Sequence, residues 1–210
     1  MTQNVSISGL NWQIRDNSDD HIAAVEEHEP DLTQWIRQKS GDVFLDIGAH
    51  CGRYTLRCAK NFATVFAFEP GLQAREGLYA NLILNPEITN VCVMPFAGWS
   101  SDTELWLCDG RNPASKFISN TDRGQRVECR RIDGLIDMAT FVKIDVEGAD
   151  AHVLRGMSFI LQEWHPEILM EVHNFIDPTL DAQCRAILSE FDYEFHDFPK
   201  YMGSDYIHAT

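Results

Sequence analysis

The chain of 210 residues is long enough for one domain with a sizeable hydrophobic core, and 44% of its residues are hydrophobic against 23% charged. Its formal net charge of −15 argues against nucleic-acid phosphates or an anionic membrane as the main partner, because like charges repel. The composition is typical of a soluble globular protein, in which an acidic surface serves solubility.

The cysteines and the apolar runs bear on the cellular compartment. The sequence has 6 cysteines and no Cys-x-x-Cys pair, which favours buried free thiols over disulfides or a zinc site. No apolar run approaches the length of a membrane span, and the N-terminus lacks the charged-then-apolar pattern of a signal peptide. We therefore expect a cytoplasmic protein, and its oligomeric state stays open.

Residues 1–40 are predicted to form a cap region over a site that begins just afterwards. Apolar alternation over 1–17 favours an edge strand or a hairpin. A short helix near 19–28 follows Ser18 as its N-cap, and Pro30 with Asp31 opens a second helix that Gly41 closes.

The next stretch alternates strands with helices. Short apolar runs predict buried strands, and apolar residues at helical spacing predict the helices between them. In chain order these are a strand at 43–47, a helix around 52–61, a strand at 64–68, a helix near 72–84 and a strand at 91–94. This order is typical of a doubly wound parallel sheet.

Residues 99–131 interrupt the alternation. Two short strands, 103–108 and 126–131, are joined by a polar stretch, so we expect a hairpin insertion with a mobile loop. The alternation resumes with a strand at 141–146, a helix near 149–162, a strand at 167–172, a helix at 179–190 and an antiparallel pair at 193–195 and 206–209. The prediction is a single α/β domain over 1–210, with a doubly wound, mostly parallel, seven-stranded sheet.

Polar residues cluster where the predicted strands end. In open α/β sheets the ligand lies outside the carboxyl ends of the strands, so residues at these ends are the candidates for a site. In chain order they are Asp46 with the following glycine loop, Glu69, Ala97 just past the third strand, Asp145, Glu147, Glu171 and His173.

The loop after the first strand indicates the kind of ligand. Asp46 precedes Gly48 and Gly52, two glycines that allow a sharp turn and a close approach of the backbone to a ligand. Position 50 is His50, so the G-x-G-x-x-G fingerprint of NAD sites is not met. Glu69, at the end of the next strand, can accept hydrogen bonds from both ribose hydroxyls of an adenosine. This pattern suits S-adenosylmethionine, a sulfonium with a ribose and no phosphate.

The motifs then resemble those of a known family. Residues 43–55 (V-F-L-D-I-G-A-H-C-G-R-Y-T) resemble the D-I-G-A-N-x-G-x-Y-T motif of FkbM methyltransferases, and 66–70 (F-A-F-E-P) resemble the family's second motif. Residues 141–150 (F-V-K-I-D-V-E-G-A-D) are similar to the K-I-D-V-E-G-x-E signature, which is the most specific match. The flanking elements at 131–135 and 166–171 are similar as well, so the resemblance covers roughly residues 40–175 in order.

The resemblance implies a Rossmann-like class I methyltransferase fold with S-adenosylmethionine as cofactor. Two positions depart from the family pattern, because His50 stands where Asn is usual and Asp150 where Glu is usual. The residues expected at the cofactor are Asp46, Gly48 and Gly52 around the methionine end, Glu69 at the ribose and Ala97 near the adenine, together with Ala49 and His50 of the same loop.

The family's typical reaction, transfer of a methyl group to a hydroxyl of a sugar or other small molecule, needs positioning and a base. Asp145 is the first candidate for the base, and His173, which titrates near neutrality, is the second. Asp145, Glu171 and His173 are an alternative set of ligands for a divalent metal, which the sequence does not favour. In this interpretation the substrate contacts Lys143, Glu147 and Glu171. For Lys143 and Glu147 the alternative is a structural role, as an ion pair or a helix cap.

The acceptor is expected to bind the insertion and the N-terminal helices. The candidate side chains there, which are as readily explained by packing, are Trp99, Trp106, Arg111, Lys116 and Phe117. Two other functions stay open: a catalytically inactive module that binds S-adenosylmethionine, suggested by His50, and an NAD-dependent oxidoreductase, which the glycine pattern disfavours.

Overall fold

The computed structural model describes residues 2–16, 18, 20–25, 30–110, 116–200 and 205–210. It begins with a hairpin of two antiparallel strands, β1 (Thr2–Ile7) and β2 (Leu10–Arg15), one of the two forms that the apolar alternation predicted. The helices α1 (Asp20–Ala24) and α2 (Pro30–Ile36) follow. Residues 26–29, where the first helix was predicted to end, lie outside the described residues.

The remaining elements follow the predicted alternation closely. In chain order they are β3 (Gly41–Ile47), α3 (Arg53–Cys58) with a short 3-10 turn (Ala59–Asn61), β4 (Phe62–Phe68), α4 (Leu72–Leu84), β5 (Val91–Met94), β6 (Ala97–Gly98), β7 (Thr103–Asp109), β8 (Lys116–Ser119), β9 (Gln125–Arg130), β10 (Phe141–Ile144), α5 (Asp150–Gly156), α6 (Ser158–Trp164), β11 (Glu167–Val172), α7 (Leu180–Ser189), β12 (Phe195–His196) and β13 (Asp205–Ala209).

Seven strands form the main sheet in the order β12-β13-β11-β10-β3-β4-β5. The strands from β11 to β5 are parallel to their neighbours, whereas β13 runs antiparallel to both β11 and β12. The sheet is therefore mixed: its parallel part matches the prediction, and the predicted C-terminal pair forms an antiparallel edge. Strand order reverses between β3 and β10, which is where open α/β sheets bind ligands.

Alternate residues of β3 face opposite sides of the sheet, because side chains in a strand alternate. Val43, Leu45 and Ile47 join the buried core formed with α5, α6 and α7. Phe44 instead packs in a second cluster with residues of α2 and α3. Helices thus bury both faces, as a doubly wound sheet requires. Across the described residues, no helix is both long and apolar enough to cross a membrane.

Two predicted boundaries were wrong. Gly41 does not close the second helix, because α2 ends at Ile36 and Gly41 is the first residue of β3. A β-carbon at Gly41 would collide with the side chain of Thr140, so close packing accounts for this glycine. The helix predicted near 149–162 is interrupted at Met157 and forms α5 and α6.

The insertion is larger than the predicted hairpin. β7 and β9 pair as the two predicted strands, but β8 and β6 join them in a four-stranded sheet of order β6-β9-β7-β8. The predicted mobile loop falls partly on 111–115, which includes Arg111 and lies outside the described residues.

Asn81, buried in α4, joins the N-terminal hairpin to the loop after β3. Its Oδ1 accepts a hydrogen bond from the Gln13 amide at 2.7 Å, and its Nδ2 donates to the Cys51 carbonyl at 2.8 Å. Asn81→Ala leaves both backbone groups without this partner, so we expect the free energy of unfolding to fall by about 2 kcal/mol in urea denaturation. Asn120→Ala, at an exposed position, is the matched control, and equal losses in the two variants would contradict this role.

Candidate functional site

A cavity of about 900 Å³ opens at the carboxyl ends of β3, β4, β10 and β11. Several predicted site residues line it: Gly48, Ala49, His50, Glu69, Ala97, Lys143, Asp145, Glu147, Glu171 and His173. The N-terminal region and the insertion supply further lining residues: Arg15, Ser18, Ile22, Ala23, Lys116, Ile118 and Gln125. The cavity lies where the strand order reverses, as the sheet topology requires of a ligand site.

Backbone hydrogen bonds hold the loop after β3 in place. The amides of Gly48 and Ala49 both donate to the carbonyl of Phe68 at the end of β4, each at 3.0 Å. Gly48 has a φ of 86°, and a β-carbon there would collide with the backbone carbonyl of Asp145. The close approach for which a glycine was expected is therefore made to the protein's own backbone at the end of β10.

Asp46 and Gly52 lie behind this loop, and neither is among the described residues that line the cavity. The Asp46 carboxylate is fully buried and accepts a hydrogen bond from Thr55 Oγ1 at 2.5 Å, which links β3 to α3. Burial raises the pKa of Asp46, against the lowering effect of the Lys143 ammonium. A β-carbon at Gly52 would meet the side chains of Leu56 and Leu78. Contact of Asp46 and Gly52 with a cofactor stays a prediction.

Glu69 is the buried carboxylate of the cavity wall. Its Oε1 accepts a hydrogen bond from the Gly71 amide at 2.7 Å, and its Oε2 accepts one from the His50 amide at 2.9 Å. Burial raises the pKa of Glu69 to about 7, although both amides act to lower it. Each carboxylate oxygen has a second lone pair, so Glu69 can still accept hydrogen bonds from a diol.

The backbone explains how a histidine is accommodated at position 50. His50 has a φ of 51°, in the left-handed region that Asn, Asp and His enter more often than other non-glycine residues. The His50 amide donates a hydrogen bond to Glu69, and His50 lines the cavity. The departure from the usual Asn therefore preserves the backbone geometry of the loop.

Strand periodicity gathers charged side chains at the ends of β10 and β11. Lys143 and Asp145 are two residues apart, as are Glu171 and His173, so each pair shares one side of the sheet. Lys143 Nζ lies 3.0 Å from Asp145 Oδ2. His173 Nε2 lies 3.9 Å from Asp145 Oδ1, 3.7 Å from Glu147 Oε1 and 3.6 Å from Glu171 Oε1. The sequence-predicted catalytic and substrate residues are thus brought together in one cluster.

The groups in this cluster set one another's charge. Burial acts to lower the pKa of Lys143, but the Asp145 and Asp46 carboxylates outweigh it and the pKa is raised. Burial acts to raise the pKa of Asp145, but Lys143 and His173 bring it below its usual value. The carboxylates around His173 likewise raise its pKa in spite of burial. At neutral pH the cluster therefore holds an ionised Asp145 beside a charged Lys143.

Asp150, at the start of α5, is a buried carboxyl group that the predicted chemistry does not use. It has no exposed surface, and neither carboxylate oxygen has a hydrogen-bond partner among the described residues. Burial raises the pKa of Asp150 to about 7. Because the folded state favours the protonated form, its contribution to stability is complete below the ordinary pKa and is lost as the pH rises through about 7.

Asp150→Asn tests this effect on stability. Between pH 6 and 8 a single carboxyl group with a folded pKa near 7 costs the folded protein about 1.4 kcal/mol, by proton linkage. The free energy of unfolding, measured in urea, should therefore fall less between pH 6 and pH 8 in Asp150→Asn than in the wild type. The expected difference between the two falls is about 1.4 kcal/mol. Asp122→Asn, at an exposed position, is the control, and an unchanged pH slope in Asp150→Asn would contradict the assignment.

The aromatic residues predicted to contact the acceptor do not line the cavity within the described part of the chain. Trp99 stacks on His152 with ring centroids 3.8 Å apart, and neither Trp106 nor Phe117 is among the lining residues. Lys116 does line the cavity and pairs with Asp109. The alternative role in packing fits Trp99, which also packs against the hydrophobic cluster of the insertion.

Several lining residues were not predicted. Gln125 of the insertion accepts a hydrogen bond from the Leu72 amide at 2.9 Å and donates to the Pro70 carbonyl at 3.0 Å, so it fastens the insertion beside Glu69. Gln125 lies in a polar stretch of the sequence, and no motif or periodicity there indicated that it would line the cavity. Tyr54 also lines the cavity, with its ring 5.1 Å from Lys143 Nζ, and the G-x-Y-T motif was the signal that could have found it.

Comparison with known proteins places this site in a family. Residues 46–195 match the model of the methyltransferase FkbM domain. The hexuronic acid methyltransferase AglP of Haloferax volcanii is 28% identical over 174 residues, which cover 80% of this chain and 68% of AglP.

Solved structures agree on the fold. The methyltransferase FkbM from Methylobacillus flagellatus has a TM-score of 0.63 at 16% identity, over 92% of this chain and 55% of that chain. This chain thus spans about half the length of that protein. TYW2 from M. jannaschii, solved in complex with AdoMet, has a TM-score of 0.55 at 13% identity, over 99% of this chain and 84% of that chain.

These likenesses confirm the Rossmann-like methyltransferase fold, and the family model spans the glycine loop, Glu69 and the charged cluster that form the cavity. The resemblance seen in the sequence motifs is confirmed: the chain belongs to the FkbM methyltransferase family.

Proposed function

We propose that this protein is an S-adenosylmethionine-dependent methyltransferase that methylates a hydroxyl group of a sugar or another small molecule. Family membership supports methyl transfer, and the relative AglP is a hexuronic acid methyltransferase. A cavity of about 900 Å³ is near the upper end of the usual range of roughly 300–1,000 Å³ for ligand pockets, which suits a cofactor with a small acceptor.

The cofactor in this proposal lies along the loop after β3, with its ribose at Glu69. The lone pairs that Glu69 keeps beside the two amides are the acceptors for the ribose hydroxyls. Ala97, in β6, lines the cavity past the third parallel strand, which agrees with the adenine position that the resemblance implies. AdoMet in TYW2 and S-adenosyl-homocysteine in a methyltransferase from Streptococcus mutans support this choice of cofactor.

The observation that carries the proposed chemistry is the position of Asp145. Its Oδ2 is held by Lys143 at 3.0 Å, its Oδ1 faces His173, and the residue lines the cavity beside Gly48. A bound S-adenosylmethionine would supply the methyl group and leave as the thioether, and Asp145 would take the proton of the acceptor hydroxyl. His173 is the second candidate for this proton. Lys143 keeps Asp145 ionised and oriented.

The acceptor proposed here is a small molecule, since a net charge of −15 opposes association with nucleic-acid phosphates. The relative AglP is a hexuronic acid methyltransferase, so a hexuronic acid is the first acceptor to test.

Two measurements test the proposed function. Calorimetric titration with S-adenosylmethionine and with NAD is expected to show binding of the first alone, and no binding of S-adenosylmethionine at millimolar concentration would refute the proposal. Transfer of a labelled methyl group to a panel of hexuronic acids and matching neutral sugars then identifies the acceptor class. Cofactor binding with no transfer to the panel or to cell extract would favour the inactive binding module.

A further inference from the structure

Three side chains at the ends of β10 and β11 form a compact set of possible metal ligands. One ligand atom from each of Asp145, Glu171 and His173 can be chosen so that all lie within 4.8 Å of one another. The distances of His173 Nε2 from Asp145 Oδ1 and Glu171 Oε1, 3.9 and 3.6 Å, exceed those of hydrogen bonds. They leave room for an ion between the nitrogen and the carboxylate oxygens.

His173 is the observation that distinguishes this set from an ordinary acidic cluster. Its side chain is only 6% exposed, and it makes no hydrogen bond to any described residue. Its Nε2 nevertheless points at the carboxylates of Asp145, Glu147 and Glu171. A buried imidazole without a hydrogen bond is costly, and a ligand at Nε2 removes part of that cost.

The nearby lysine does not fill the gap. Lys143 Nζ lies 3.0 Å from Asp145 Oδ2, which leaves Asp145 Oδ1 directed towards His173. The carboxylates of Asp145, Glu147 and Glu171 lie 3.6 to 3.9 Å from His173 Nε2. Their negative charges converge on the space beside this nitrogen and attract a cation there.

We propose that Asp145, Glu171 and His173 bind a divalent cation of the Mg²⁺ and Mn²⁺ class. Two carboxylates and one imidazole form a mainly hard donor set, and no thiolate belongs to it. The role of the ion rests on the proposed function: it takes the acceptor hydroxyl as a further ligand and lowers its pKa, so that the proton leaves to solvent through the cavity. Asp145 and His173 then act as ligands.

A second set of possible ligands, Asp20, His50 and Cys51, is a poorer site. Both carboxylate oxygens of Asp20 already accept hydrogen bonds from Arg15. The Nε of Arg15 donates to Oδ2 and its NH2 donates to Oδ1, each at 2.6 Å. Burial also raises the pKa of Cys51, which opposes the thiolate that a metal requires. This set supplies a control for the test.

The test is a titration of the full chain with Mn²⁺, followed by electron paramagnetic resonance of the free ion. We expect one Mn²⁺ to bind per chain and Mg²⁺ to compete with it. Glu171→Gln and His173→Ala should each weaken binding by at least about tenfold. Cys51→Ser and the exposed Glu163→Gln are the controls, with unchanged binding expected, and circular dichroism verifies that every variant is folded.

Two outcomes overturn the metal site. One is that the folded wild type binds no Mn²⁺ at about 1 mM, the weak end of protein sites, and the other is that Glu171→Gln and His173→Ala both bind Mn²⁺ as tightly as the wild type does. If His173→Ala does not fold, the isosteric Glu171→Gln decides alone. Calorimetry with S-adenosylmethionine in the presence of EDTA separates the two proposals. Cofactor binding without Mn²⁺ binding removes only the metal site, whereas Mn²⁺ binding without cofactor binding removes only the proposed function.

Discussion

Asp145→Asn is expected to lower kcat for methyl transfer by roughly 10²- to 10⁴-fold, the usual contribution of a general base. The affinity for S-adenosylmethionine should change by less than about threefold, under 1 kcal/mol, because the cofactor is proposed to bind the loop after β3 and Glu69. Asp145 serves as base or as metal ligand, and an amide does neither well. Steady-state kinetics with labelled cofactor, together with calorimetry, measures both quantities.

The variant is expected to fold because Lys143 retains other counter-charges. Asp46 and Glu171 also raise the pKa of this lysine, so removing one carboxylate does not leave the ammonium group isolated. Glu163→Gln, an exposed change of the same chemical kind, is the matched control for kcat. A folded Asp145→Asn variant with kcat near that of the control would remove Asp145 from the mechanism.

Glu69→Ala is expected to weaken S-adenosylmethionine binding by roughly 10²- to 10⁴-fold. Two hydrogen bonds from ribose hydroxyls to a buried carboxylate are lost, each worth about 1.5–3 kcal/mol. The His50 and Gly71 amides also lose their acceptor, which loosens the loop that the cofactor contacts. Isothermal calorimetry measures the change, and Glu76→Gln, a change further along α4, is the control.

The pH dependence of cofactor binding provides a second measure of Glu69. Its pKa is raised to about 7, so the free protein carries a protonated Glu69 below that pH, and the ribose hydroxyls require the ionised form. We expect S-adenosylmethionine affinity to rise with pH between 6 and 8, with proton release on binding. In Glu69→Gln the affinity should be lower and independent of pH over this range. A pH profile shared by wild type and variant would show that another group titrates.

The main sheet could be predicted because its signals are local. Apolar runs such as 91–94 and 167–172 gave strand bounds that agree with β5 and β11, and Asn85 with Pro86 marked the end of α4. Parallel strands connected by helices have few possible arrangements, so the order of elements predicted the shared rim of Asp145, Glu171 and His173.

The insertion could not be predicted to the same depth. Pairing of β6 with β9 depends on contacts between distant residues such as Ala97 and Cys129, and strands as short as β6 and β8 have little periodicity. The same limit applies to Gln125, whose role depends on its meeting Pro70 and Leu72 in space. Gly41 shows the converse error, because a glycine after a helix resembles a helix stop while its actual constraint is contact with Thr140.

The sequence by itself determined the family, the parallel core and the candidate residues, since motif spacing and apolar periodicity are properties of the chain alone. Only the tertiary structure decided which of those residues line the cavity and which pack behind it. Asp46 and Gly52 lie behind the loop, Gly48 packs against the backbone of Asp145, and His173 faces three carboxylates. The physical reason is that burial, hydrogen-bond partners and distances between charges arise only when segments far apart in sequence meet.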